Sequence, residues 1–233
     1  KTAWLSLFLL ITFGYYVSSL SMLRQSLAIV CVLNSIQYVE NRDLKRFALC
    51  VSVATFFHYT AIAFFLLYPF SRFRISIGYF VCLLVFTFVF SVFAGKFVLL
   101  QLIEKYYSIY EGNMVSGEGY NMLLLLLAIT FGGLLVRHYN HIADRRLDVY
   151  CQMLILACCL QLISIQFSLF ARIVLYYQIG IVVFIPEVLS FLKNRHLTFF
   201  CKIGVSVGAI CFFIWIYLAN NSSGILPYTF LGE

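Results

Sequence analysis

Three side chains stand where packing alone explains them poorly. Arg24, in "SMLRQSLAIV", is the only charged residue between Lys1 and Glu40. Arg172, in "SLFARIVLYYQIG", has no charged neighbour from Val149 to Ala171 or from Ile173 to Pro186. His58 lies in the equally apolar "ATFFHYTAI". An arginine at a helix end can snorkel to lipid headgroups at little cost. The helical neighbours of this pair argue for inward-looking faces instead. Around Arg24 they are Ser21, Ala28, Cys31 and Ser35, and around Arg172 they are Ser168, Tyr176 and Gly180, small or polar residues suited to helix contact rather than to lipid.

A salt bridge is the structural alternative, but Glu187, on the Arg172 face, is about 22 Å away along a helix rising 1.5 Å per residue. A planar guanidinium donates two parallel hydrogen bonds to phosphate oxygens, and a pyrophosphate offers acceptors for two such forks. A lipid-linked diphosphate is the ligand class the two arginines point to. His58 could exchange a proton beside such an ion, or could be a structural plug for backbone groups freed at a helix break. His138 and His141 have a metal-compatible i, i+3 spacing, but they sit among Arg137, Arg145 and Arg146, and cationic surroundings disfavour a metal. Glu187 follows Pro186, where a kink or a lipid-facing cap is the simpler reading. The eight cysteines lie in apolar segments without a C-x-x-C pair and read as small buried hydrophobes.

The elements that must hold these groups are membrane helices. Residues are 63% hydrophobic and only 11% charged, in apolar runs near the length that crosses a hydrocarbon core, so the chain reads as all-α, a polytopic transmembrane helical bundle. Runs such as "MLLLLLAITFGGLLV" are apolar on every face, which excludes the alternation of a β-barrel. About seven to eight hydrophobic segments are expected, near 3–20, 22–39, 47–70, 75–95, 121–136, 149–166, 169–190 and 198–219. No soluble domain or internal repeat separates them, so 1–233 reads as one integral membrane domain. It opens on Lys1 and reads as N-terminally truncated. The net charge of +7 is spread over short connections, as positive-inside loops require, and is no nucleic-acid footprint.

Orientation by basic loops places "LKNRH", "RHYNHIADRR" and "SRFR" inside, and the 95–120 loop, the 166–169 junction and the tail outside. That loop carries Glu104, Glu111 and Glu118 with Tyr106, Tyr107, Tyr110 and Tyr120, as an external substrate-facing segment or an interfacial aromatic belt could. The rule then contradicts itself at "ENRDLKR", which falls outside. One repair is that 47–70 is a broken, re-entrant segment whose two arms of about 11 residues reach roughly 16 Å and return, breaking near "FFHYTA". The other is an ordinary span with one misplaced basic loop.

The stretches "LRQSLAIV", "ATFFHYTAI", "ARIVLYYQIGIVVFIP" and a terminal "PYTF" resemble the Wzy/EpsG-type membrane polysaccharide polymerases, over about Ser21 to Phe230. Members of that family usually carry additional N-terminal helices, and a serine often stands where this chain has Thr60. The resemblance implies a multi-pass protein of the bacterial cytoplasmic (inner) membrane. Its activity would be inverting glycosyl transfer at the outer face, joining polyprenyl-diphosphate-linked repeat units into capsule, exopolysaccharide or O-antigen. Arg24, Arg172 and His58 are then the expected catalytic residues, the arginines stabilising the leaving diphosphate and His58 taking the acceptor proton. Substrate contacts are expected from Gln25, Thr60, Tyr107, Tyr176, Tyr177 and Tyr228. No cofactor, metal or nucleic acid is expected. Partners are the lipid-linked donor and acceptor and membrane lipids, with a chain-length regulator or other export-machinery components left open.

Other functions fit less of the pattern. A lipid-linked oligosaccharide flippase would also need cations, but along a path open to both faces and with weak internal symmetry. A scaffold has no use for isolated arginines. A membrane acyltransferase lacks an acidic partner for its histidine.

Overall fold

The computed structural model describes residues 3–94, 119–167 and 170–219, and among these every regular element is helical. The 3–20 segment forms α1 (Ala3–Thr12) and α2 (Tyr15–Ser21), bent by 56°. The bend is built on Gly14, whose φ of 74° suits glycine and whose missing side chain makes room for the Tyr217 ring. The Tyr217 hydroxyl donates to the Phe13 carbonyl, a group the bend would otherwise leave bare in an apolar setting.

After α3 (Leu23–Glu40), the chain enters α4 (Leu44–Phe57) and breaks at His58, which is extended. It then returns through a 3-10 helix (Tyr59–Leu66) and the short α5 (Leu67–Phe70). The Tyr68 hydroxyl donates to the Arg42 carbonyl at 2.9 Å, and the Phe47 ring packs on Phe64, Phe65 and Tyr68. Entry and exit are therefore side by side, and the segment is a hairpin rather than a span. Its arms reach about 21 Å, deeper than the 16 Å the sequence led us to expect. The difference arises because α4 begins at Leu44, capped by the Asp43 side chain, which accepts from the Arg46 amide, and because the 3-10 return rises about 2.0 Å per residue.

The remaining elements are α6 (Ile77–Ala94), α7 (Tyr120–Tyr139), α8 (Arg145–Gln166), α9 (Ala171–Gln178), α10 (Ile181–Ser190) and α11 (Arg195–Phe213), the last prolonged by a π-helical stretch, Ile214–Ala219. Among the described residues four helical stretches are long and apolar enough to cross a membrane, and five if the bent α1–α2 pair counts as one. The expected multi-pass, all-helical bundle is what the chain forms. Helix α8 is its centre, buried on nearly every face and packed by α6, α7, α9 and α10. Asp144 and Asn194 cap α8 and α11 as Asp43 caps α4, so polar loop residues set where each helix starts.

Among the described residues the basic connections meet at one end of the bundle. Arg145 donates to the Ser71 carbonyl at 2.9 Å and the Val39 carbonyl at 3.5 Å, joining α8 to the base of the hairpin and the end of α3. Arg137 pairs with Asp148 at 2.7 Å and reaches the Ile75 carbonyl. Arg146 lies 4.0 Å from Glu187, so Glu187 answers a cation at its own end of the helix. The hairpin thus removes the contradiction in the basic-loop rule: "ENRDLKR" and "SRFR" lie on the same side.

Candidate functional site

At the opposite end, three chain breaks converge. Met22, with φ −119° and ψ 55°, separates α2 from α3 and leaves Arg24 in the first turn of α3. Arg172 occupies the first turn of α9. His58 forms the tip of the hairpin between them. Together with Ser21, Leu23, Gln25 and the tip residues Thr55, Phe56, Phe57 and Tyr59, these groups line one cavity of about 680 Å³.

Neither arginine has an acidic partner within salt-bridge distance among the described residues. Among the described residues neither helix start has a side-chain cap, so backbone N–H groups at both add to the positive potential of the guanidinium groups. Of the neighbours read as inward-looking, Ala28 and Ser35 behind Arg24 and Tyr176 and Gly180 behind Arg172 are buried, whereas Cys31 is half-buried, Ser21 is exposed and Ser168 lies outside the described residues. Gln25 is buried and donates from Nε2 to the Arg172 carbonyl at 2.8 Å, locking the two arginine-bearing turns together.

The histidine is held from behind. Its Nδ1 lies 2.7 Å from Thr60 Oγ1 and 3.0 Å from the Tyr176 hydroxyl, and Thr60 donates to Tyr176 at 3.3 Å. Its ring stacks on Tyr59 with centroids 5.4 Å apart. The side chain thus bonds two hydroxyls rather than freed backbone groups. With Nδ1 occupied, Nε2 is the nitrogen left to face a ligand. If Nδ1 carries the proton and gives it to Thr60, Nε2 holds the lone pair that a base requires.

Of the residues expected from the sequence, Arg24, Gln25, His58 and Arg172 share the cavity lining. Thr60 and Tyr176 are buried behind His58. Tyr177 is buried and turned away, donating to the Ala63 carbonyl of the hairpin's return arm at 2.6 Å. Tyr107 and Tyr228 lie outside the described residues. His138 and His141 sit at the basic end, and no cluster of three metal-ligating side chains occurs among the described residues. The aromatic rim of Phe56, Phe57 and Tyr59 was missed; its only sequence signal was adjacency to His58.

Three of the four stretches that carried the resemblance meet here, at the start of α3, the hairpin tip and the start of α9, and "PYTF" lies outside the described residues. The EpsG family model matches residues 1–230. The chain belongs to the EpsG family. No curated protein matches it, and no solved structure does. As an EpsG-family protein it is a multi-pass membrane protein of polysaccharide biosynthesis, of polymerase type.

Proposed function

We propose that this EpsG-family protein is a glycosyltransferase-like polymerase that joins polyprenyl-diphosphate-linked oligosaccharide units at the outer face of a bacterial cytoplasmic membrane. The observation that carries this reading is the convergence of Arg24, Arg172 and His58 on one cavity, at the end of the bundle opposite the basic loops. The basic end is cytoplasmic by the positive-inside rule, so the cavity opens outward.

The donor diphosphate sits between the two guanidinium groups and the uncapped starts of α3 and α9. An acceptor sugar hydroxyl attacks the donor's anomeric carbon from the face opposite the diphosphate. The new C–O bond forms as the C–O bond to the diphosphate breaks, and the bonding electron pair leaves on the diphosphate oxygen. Charge grows there in the transition state, where fixed cations stabilise it more than in the ground state. The acceptor proton passes to His58 Nε2, while Thr60 and Tyr176 keep the ring oriented. Attack from the opposite face inverts the anomeric centre. Tyr107 and Tyr228 are kept as further substrate contacts, with Gln25 positioning the Arg172 turn. The family supplies the polymer chemistry, and the outward, one-sided cavity argues against a flippase path.

The test is reconstitution with a short lipid-linked glycan, reading chain length on a gel. A ladder that requires His58 and both arginines supports the reading. Movement of the unextended lipid-linked glycan between leaflets, without a ladder, would replace it with the flippase.

A further inference from the structure

A second, apolar groove adjoins the cationic cavity. It has a volume of about 200 Å³ and is walled by Leu10, Ile29, Leu33, Leu175 and Ile179. Met22 and Gln25 line both spaces, so one continues into the other at the α2–α3 break. Most of the polar side chains along it are turned to the protein's own backbone: Ser19 donates to the Tyr16 carbonyl, Ser26 to the Met22 carbonyl, Tyr15 to the Gln178 carbonyl and Gln25 to the Arg172 carbonyl. What remains for a ligand is hydrocarbon surface. Leu33 stands nine residues beyond Arg24 on α3, so the groove runs about 14 Å away from the cations. Val30 and Tyr16, half exposed, form its rim.

We propose that this groove holds the polyprenyl chain of the donor. The inference rests on the reading of the cationic cavity as the diphosphate site. A diphosphate held by Arg24 and Arg172 carries its lipid with it, and the chain must find apolar surface at once or be left in a polar cavity. The groove provides that surface in direct continuity with the head site. A larger apolar groove of about 460 Å³ lies between α7, α10 and α11, lined by Ile129, Gly132, Ile185 and Val205 among others. It shares no lining residue with the cationic cavity, so continuity rather than volume selects the α2–α3 groove. Held there, the chain fixes the direction in which the diphosphate leaves and keeps the anomeric carbon facing His58.

The test uses the full chain in proteoliposomes with a long-chain polyprenyl diphosphate, free of glycan, that carries a diazirine in the isoprene units next to the diphosphate. Photolysis is expected to mark peptides between Tyr15 and Leu33, with yield falling in Arg24→Ala. Labelling of 128–136 or 184–205 instead overturns the proposal, and so does the absence of specific labelling. In extension assays, Ile29→Trp fills the groove. It should raise KM for a long-chain donor about tenfold, the effect of excluding roughly two CH2 groups from an apolar site. KM for a donor with a very short prenyl chain should not change, and Gly204→Leu in the other groove should leave both values alone. Equal KM for wild type and Ile29→Trp on the long-chain donor overturns the proposal; if that variant fails to insert, wild-type labelling decides. Labelling in the groove without chain growth removes the polymerase reading and keeps the groove. Chain growth with labelling elsewhere does the reverse.

Discussion

Replacing Thr60 with valine removes a hydroxyl and almost no volume at a buried position where that hydroxyl bridges the His58 ring and the Tyr176 hydroxyl. Thr60 Oγ1 is 2.7 Å from His58 Nδ1, against 3.0 Å for the Tyr176 oxygen, so it is the closer partner of the ring. When the ring gains the acceptor proton, the bond from Nδ1–H becomes charge-assisted, worth roughly 1.5–3 kcal/mol. Lost only in the transition state, that is about 10- to 150-fold in kcat at 1.36 kcal/mol per decade. Tyr176 remains within reach of Nδ1 and takes up part of the loss, so the lower end, about 10- to 30-fold, is expected. The donor KM should not move. Folding should cost about 1 kcal/mol, the net worth of one ordinary hydrogen bond. Thr60→Ser returns the hydroxyl and should return most of the rate. The assay is the initial rate of chain extension in proteoliposomes at saturating and limiting donor. His58→Gln alone should lose roughly 10² to 10⁴. Because Thr60 acts through the ring, His58→Gln/Thr60→Val should be no slower than His58→Gln. The neutral ring is the active form, so activity falls as pH drops through its titration; this acid limb should persist in both Thr60 variants and vanish in His58→Gln. A further tenfold loss in the double variant, or no rescue by serine, refutes the assignment.

Arg24→Ala and Arg172→Ala should each abolish chain growth with normal membrane insertion, and lysine at either site should restore activity only partly, since it keeps the charge and loses the fork; full activity of both alanine variants reduces them to lipid anchors. In a cysteine-free background, Arg46→Cys and Phe73→Cys, both at exposed positions flanking the hairpin, should react with an impermeant thiol reagent from the same side; reaction from opposite sides removes the hairpin. Arg145→Ala strips two carbonyl contacts from the hairpin's base and should destabilise the protein by about 2–4 kcal/mol, read as thermal unfolding in detergent. An unchanged melting temperature shows that the Tyr68–Arg42 hydrogen bond and the aromatic contacts anchor the hairpin without Arg145.

The fold was legible in the sequence to the level at which composition and run length decide it. Long apolar runs become helices because lipid leaves the backbone no other partner, and Asp43, Asp144 and Asn194 announce helix starts by local rules. The two arginines were legible as well, because isolation of charge is a property of the chain itself. The hairpin was legible only as one of two readings of 47–70. Twenty-odd apolar residues can cross a membrane or turn back within it, and the contact that separates the cases, Tyr68 to Arg42, joins residues 26 apart. The support of His58 was further out of reach, since Tyr176 is 118 positions away. A sequence can place Tyr176 on the face of Arg172, but only the packing of α9 against the hairpin turns it toward the histidine rather than toward the cavity.

The hairpin also explains how His58 can sit at the end of the bundle opposite the basic loops although it lies in a segment whose two flanks are basic. A span would put "ENRDLKR" and the cavity on the same side, costing either the charge asymmetry or the site. A re-entrant arm keeps both: its base stays among the basic loops, tied by Arg145 and Tyr68, while its tip rises about 21 Å to meet Arg24 and Arg172. Two side chains on α9 hold the hairpin on either side of its break. Tyr177 takes the Ala63 carbonyl, and Tyr176, the next residue back, takes the histidine. Two consecutive tyrosines thus divide the work on one helix, one holding the hairpin's return arm and the other aiming its tip. Arg172 stands one turn before Tyr176 on that helix, so whatever moves α9 moves the cation and the support of the base together.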